Sequence, residues 1–125
     1  MRFLLVGLGG CVGSMLRYWA STTVQRLTSA SDFPAGTLMV NVIGCFAIGV
    51  LMELAERRAL LTPDAHALLV IGLLGGFTTF SAFANDTLNA FRAGAPVLAA
   101  ANVAGSVVLC LSAVWFGRAA GALGH

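Results

Sequence analysis

The chain carries little charge for its length, with seven basic residues and five acidic residues among 125, and all seven basic residues are arginines. Charged residues make up 10% of the sequence and hydrophobic residues 58%, a balance that excludes an ordinary soluble domain. The composition therefore predicts a membrane protein whose surroundings are the lipid bilayer. We expect no nucleic-acid partner.

Groups that could carry chemistry are also scarce. No carboxylate or histidine lies deep in a hydrophobic stretch, as a proton-coupled antiporter would need, and no nucleophile–base pair is evident. The three cysteines, Cys11, Cys45 and Cys110, have no metal-ligand spacing, so we expect them to be small packing residues. The sequence therefore predicts a protein that is not an enzyme.

Four hydrophobic stretches are long enough to cross a bilayer, at residues 2–25, 33–53, 65–88 and 95–117. They predict an all-α membrane protein in which residues 1–125 form a single domain of four transmembrane helices with short loops. Arg2 before the first apolar stretch would also suit a signal peptide. Tyr18 and Trp19 favour a membrane span, because aromatic residues suit the membrane–water interface.

The third stretch contains an irregular motif, GGFTTFSAF at residues 75–83. Adjacent glycines followed by β-branched threonines disfavour a continuous helix, and main-chain groups freed inside a bilayer cannot face lipid. We therefore predict a broken third helix whose main chain binds ions. Amides at the start of a half-helix favour anions, whereas freed carbonyl groups favour cations.

The arginines are distributed almost evenly between the two sides of the predicted bundle, four on one side and three on the other. Because an excess of Lys and Arg sets orientation, so small a difference predicts insertion in both directions and an antiparallel, dual-topology homodimer. The alternative is a single orientation. The first group is Arg2, Arg57, Arg58 and Arg118, and the second is Arg17, Arg26 and Arg92. Glu53 and Arg57, at i and i+4, predict an ion pair at a solvated helix end.

The interior of the predicted spans contains neutral polar residues and two phenylalanines that could contact an ion. Amide and hydroxyl groups can donate to an anion, and the edge of a phenyl ring carries partial positive charge. This set suits a small, weakly polarisable anion, although each member could instead be a packing residue. Its members are Asn41, Thr78, Thr79, Phe80, Ser81, Phe83, Asn102 and Ser106.

Three motifs in successive spans resemble the family of small fluoride ion channels called Fluc or CrcB. They are GGCVGSMLRY at 9–18, GTLMVNVIGCFAIG at 36–49 and GLLGGFTTFSAF at 72–83. The resemblance covers essentially the whole chain. It implies a passive channel with two antiparallel pores per dimer, which exports fluoride across the inner membrane of the cell and holds a structural Na⁺ at the dimer axis.

The resemblance also implies roles for individual residues. Asn41 is similar to the asparagine that hydrogen-bonds the anion, and Phe80 and Phe83 to the aromatic pair whose edges contact fluoride. Gly75 and Thr78 are similar to the positions whose main-chain carbonyls coordinate sodium. The expected pathway also includes Thr37, Thr79, Ser81, Ser106 and Arg17.

Two departures distinguish this chain from the pattern it resembles. Ala82 stands where the family often has threonine, with Asp86 beyond it, and Cys110 stands where a hydroxyl is often expected. Two other functions remain open. A small dual-topology multidrug exporter has a similar length but needs a carboxylate in its first span, and a helper subunit that only packs against other helices would explain the glycines but not GGFTTFSAF.

Overall fold

The computed structural model describes residues 1–58 and 61–123, and every regular element within these ranges is helical. Helix α1 comprises Arg2–Leu27 and α2 comprises Ala35–Arg58. The third span contains α3 (residues 63–77) and α4, Phe80–Arg92, and α5 comprises Pro96–Leu123. Residues 59–60 and 124–125 of the predicted domain 1–125 lie outside the described residues.

Four helical segments of 26, 23, 30 and 28 residues are long and apolar enough to cross a membrane, which confirms the predicted multi-pass membrane protein. Their outer surfaces carry large apolar side chains that water would not favour. Phe3 is 93% exposed, and Trp115 and Leu111 are also exposed. Lipid tails are the natural surroundings of such a surface.

The third span is irregular along much of its length. Helix α3 begins as an α-helix at Pro63–His66, continues as a π-helix at Ala67–Leu74 and ends with an α-helical turn at Gly75–Phe77. Thr62 caps its start by accepting a hydrogen bond from the Ala65 amide. After Phe77 the backbone is extended at Thr78 and Thr79 before α4 begins at Phe80.

Glycines allow the helices to approach each other closely at two crossings. The most extensive contact is between α2 and α5, where a Cβ on Gly117 would overlap the Phe46 carbonyl oxygen and lie 3.2 Å from the Gly49 Cα. At the crossing of α1 with α3, a Cβ on Gly72 would lie 3.0 Å from the Gly9 Cα. Small residues at such crossings are typical of helix packing in membranes.

A cluster of ion pairs joins the ends of α2 and α5. Glu53 pairs with Arg57 and, at 3.2 Å, with Arg118, and Arg118 also pairs with Glu56 at 3.0 Å. The predicted Glu53–Arg57 pair is confirmed, but its solvated setting is wrong for Glu53, whose exposed fraction is only 9%. The reason is the packing of α5, because Gly121 leaves room for the Glu53 side chain against that helix.

Candidate functional site

The extended residues between α3 and α4 form a junction whose main-chain groups need partners from elsewhere. The Thr78 amide donates to the Leu74 carbonyl at 2.9 Å. The Thr79 amide donates to Asn41 Oδ1 at 2.8 Å, and Asn41 Nδ2 donates back to the Thr79 carbonyl at 2.9 Å. The Asn41 side chain on α2 thus satisfies both main-chain groups of Thr79, which a helix would otherwise have paired.

Asn41 retains capacity for a further partner. Its amide nitrogen carries two hydrogens, and the bond to Thr79 uses one of them. The second hydrogen makes no hydrogen bond to any residue within 1–58 or 61–123. Asn41 can therefore support the junction and donate to a bound ion at the same time.

Thr79 also organises the start of α4. Its hydroxyl oxygen accepts from the Ala82 amide at 3.2 Å and lies 3.3 Å from the Ser81 hydroxyl. This is a threonine N-cap, which satisfies one of the first amides of the helix. The amides of Phe80 and Ser81 remain at the positive end of the α4 dipole, where negative charge is favoured.

The carbonyl groups on the other side of the junction have few partners. No described main-chain amide donates to the carbonyls of Gly75 or Thr78. The Thr78 carbonyl has one polar contact, with Arg17 Nη1 at 3.5 Å, and the Thr78 hydroxyl donates to the Leu74 carbonyl at 2.9 Å. Arg17, from α1, therefore lies beside the junction.

Phe80 and Phe83 form a pair on the first turn of α4. Their ring centroids are 5.3 Å apart and their planes are tilted by 49°. Phe80 is 80% exposed, so most of its ring is not covered by the rest of the chain.

A cavity of about 470 Å³ adjoins the junction and brings together most of the predicted site. Its described lining contains no charged residue. The predicted residues that line it are Asn41, Gly75, Thr78, Thr79, Phe80, Phe83 and Ser106, and Cys45 and Cys110 line it as well.

A chain of hydrogen bonds on α4 and α5 supports the cavity wall. Ser106 donates to Asn102 Oδ1 at 3.4 Å, Asn102 Nδ2 donates to the Thr87 hydroxyl at 2.9 Å, and Thr87 donates to the Phe83 carbonyl at 2.8 Å. Asn102 is only 2% exposed. Thr87 was not among the predicted site residues, although its position four residues after Phe83 on a helix indicates that the two residues are neighbours.

Three predicted residues are not among those that line this cavity. Thr37 lines a second cavity of about 340 Å³ and donates to Asp86 Oδ2 at 2.7 Å. Ser81 is exposed beside Thr79, and Arg17 lies at the junction. Asp86 was not among the predicted site residues, and the structure makes it the partner of Thr37.

Comparisons with known proteins give relatives along nearly the whole chain. Residues 4–118 match the family described as CrcB-like protein, Camphor Resistance (CrcB). A protein of Solibacter usitatus named "Fluoride-specific ion channel FluC" is 48% identical over 117 residues, which cover 94% of this chain and 95% of the relative.

Two further relatives carry the same name. The protein of Rhizobium etli strain CIAT 652 is 48% identical over 119 residues, which cover 95% of this chain and 94% of the relative. The protein of Methylobacillus flagellatus is 45% identical over 116 residues, which cover 93% of this chain and 91% of the relative. The resemblance found in the three sequence motifs is thereby confirmed, and the chain belongs to the CrcB family.

Proposed function

We propose that this protein is a passive, fluoride-selective channel of the inner (plasma) membrane, through which fluoride leaves the cell down its electrochemical gradient. Relatives that are 43–48% identical carry the name "Fluoride-specific ion channel FluC". The observation that carries the proposal is the second amide hydrogen of Asn41, held at the edge of the cavity by the two bonds to Thr79. Export of fluoride would lower its concentration in the cytoplasm.

The chemistry of the cavity suits a small, hard anion. Asn41 can offer an N–H donor, and Phe80 and Phe83 can offer ring edges that carry partial positive charge. Ser106 can offer its O–H only after its bond to Asn102 is released. The described lining carries no arginine, so an anion would be bound weakly enough to leave quickly. Such donors replace part of the hydration shell without trapping the ion.

The remaining predicted residues extend the pathway beyond the cavity. Arg17 lies beside the junction, where its positive charge would attract anions toward the donors. Ser81 and Thr79 present neighbouring hydroxyls at the start of α4. Thr37 donates to Asp86, so it can donate to an anion only after this bond is released.

The active form in this proposal is an antiparallel, dual-topology homodimer with two pores. Phe80, the first residue of α4, is 80% exposed. A second subunit would cover its ring. The nearly even division of arginines, four against three, is consistent with both orientations in one membrane. A two-fold axis in the membrane plane would bring two junctions together.

A structural Na⁺ at this axis would suit the carbonyl oxygens that the junction offers as ligands. Sodium is a hard cation that prefers oxygen ligands, and the Gly75 and Thr78 carbonyls receive no described main-chain amide. The carbonyl oxygen of Thr78 has two lone pairs, and its contact with Arg17 uses one of them. Two carbonyl oxygens from each subunit would bind the ion. The ion would thereby connect the broken third spans of the two subunits.

The other two functions are less well supported. A multidrug exporter of this size needs a carboxylate in the first span, and α1, Arg2–Leu27, contains no Asp or Glu. A helper subunit that only packs against partners would not need an asparagine that pairs with an extended main chain inside the membrane.

Ion efflux from liposomes tests the proposal. Purified protein is reconstituted into vesicles loaded with equal fluoride and chloride, and both anions are measured outside with selective electrodes after a K⁺ ionophore is added. We expect rapid loss of fluoride and retention of chloride. Equal loss of both anions, or no loss above protein-free vesicles, would reject a fluoride channel.

A further inference from the structure

Two of the three cysteines, one on α2 and one on α5, lie on the wall of the same cavity. Cys45 and Cys110 are both free thiols, and both line the cavity of the candidate site from neighbouring helices that make the most extensive contact in the bundle. The crossing at Gly49 and Gly117 brings α2 and α5 into close contact just beyond them. Cys11 is exposed on α1 and is not among the described residues that line this cavity.

The thiol pair lies on the wall of the cavity that contains the candidate site. Cys45 lies one helical turn from Asn41, and Cys110 lies one turn from Ser106. Both cysteines are half-buried, so their sulfur atoms are accessible from the cavity. Any group bound to both sulfur atoms would therefore occupy space beside the donors for the anion.

We propose that Cys45 and Cys110 form a binding site for one soft, thiophilic metal ion of the Hg²⁺ or Ag⁺ class, and that the bound ion blocks the pathway. The blocking part rests on the proposed channel function, whereas the binding part does not. Two thiolates suit ions that accept two sulfur ligands. No group of three or more His, Cys, Asp or Glu ligands occurs among the described residues, so a closed four-ligand zinc site is not expected there.

The binding step is a simple exchange of protons for metal. Each thiol releases its proton to water, each sulfur forms one bond to the metal, and neither sulfur is oxidised. With Hg²⁺ the resulting unit is neutral and obstructs the cavity by its volume. With Ag⁺ it carries one net negative charge, which would also repel an anion next to Asn41.

A binding measurement tests the pair without reference to conduction. All variants carry Cys11→Ser, which removes the third thiol. The protein in detergent is titrated with Hg²⁺ and followed by near-ultraviolet absorption of the mercury–sulfur bond, and glutathione is then added as a competitor. We expect one Hg²⁺ per subunit. We also expect Cys45→Ala and Cys110→Ala to lose the ion at roughly 100-fold lower glutathione concentrations, because the second bond forms within the molecule.

Equal retention of Hg²⁺ by the pair and by either single-cysteine variant would overturn the site. The blocking step is then tested by fluoride efflux from vesicles that contain the Cys11→Ser protein. The assay contains glutathione at a concentration that removes Hg²⁺ from the single-cysteine variants but not from the pair. Under these conditions we expect Hg²⁺ to abolish the efflux and a small dithiol to restore it, whereas the Cys45→Ala variant in the same background should keep its own efflux. Tight binding with unchanged efflux would overturn the block, and efflux absent before Hg²⁺ is added would reject the channel but leave the binding result intact.

Discussion

Asn41 and Thr79 are joined by two reciprocal hydrogen bonds, of 2.8 and 2.9 Å, that resemble the pairing of two extended strands. One partner is a side chain on α2 and the other is the main chain between α3 and α4. The asparagine therefore does in the membrane what water or a neighbouring strand would do elsewhere, because it satisfies main-chain groups that no helix can pair.

Replacement of Asn41 tests its two functions, which are to support the junction through Thr79 and to donate a hydrogen bond to the anion. Asn41→Ala removes both bonds to Thr79, and Asn41→Asp keeps the acceptor for the Thr79 amide but places a negative charge beside the cavity. We expect each variant to lower fluoride efflux at least about tenfold, because losses of 1–2 kcal/mol at a binding site have this size. Asn41→Asp should retain more thermal stability than Asn41→Ala. Normal efflux in both would contradict the role of Asn41.

The hydroxyl of Thr79 is expected to stabilise the start of α4. Thr79→Val keeps the β-branched shape but removes the acceptor for the Ala82 amide, whereas Thr79→Ser keeps the hydroxyl. We expect Thr79→Val to cost about 1 kcal/mol of stability and Thr79→Ser much less. Thermal unfolding in detergent, followed by size-exclusion chromatography, measures the difference. Equal melting temperatures for the two variants would refute the cap.

The crossing of α2 and α5 should not tolerate a side chain at Gly117. Because a Cβ there would overlap the Phe46 carbonyl oxygen, we expect Gly117→Ala to destabilise the protein by about 1–3 kcal/mol. Gly105→Ala on the same helix is the matched control, since a Cβ at Gly105 meets no atom within 4 Å. The prediction fails if the two variants melt at the same temperature.

Glu53 makes one ion pair within its own helix and one with a neighbouring helix, so the contributions of the two kinds of pair can be compared. Arg57→Gln removes the pair within α2, whereas Arg118→Gln removes the bonds that join α5 to both Glu53 and Glu56. We expect Arg118→Gln to lower the melting temperature more than Arg57→Gln does, because only Arg118 joins two helices. The same thermal unfolding assay measures both, and a larger effect of Arg57→Gln would contradict this arrangement.

Removal of sodium tests the proposed axial ion. Replacement of Na⁺ by N-methylglucamine, which is too large for a site made of four carbonyl oxygens, should reduce fluoride efflux and weaken the dimer. Addition of Na⁺ should restore both the efflux and the dimer, whereas the same concentration of another large organic cation should restore neither. Unchanged efflux and dimerisation after exhaustive removal of Na⁺ would show that Gly75 and Thr78 hold no required ion.

Much of the architecture follows from local properties of the sequence. A transmembrane helix needs about 20 apolar residues whatever its neighbours are, so the four spans can be recognised one at a time. The sequence Gly75-Gly76-Phe77-Thr78-Thr79 predicts irregular backbone for similar local reasons, and the structure has extended dihedral angles at Thr78 and Thr79. Helix ends differ from the predicted spans, as in α5, which continues to Leu123, because a helix need not stop where the hydrocarbon ends.

The sequence by itself thus determined the membrane class, the number of spans and the family motifs, since each of these depends on composition or short-range order. Only the tertiary structure decided which distant residues meet: Asn41 with Thr79, Thr37 with Asp86, and Glu53 with Arg118. These partners depend on the rotation and depth of each helix against its neighbours. That packing arises from contacts between residues far apart in the chain, and no local pattern encodes it.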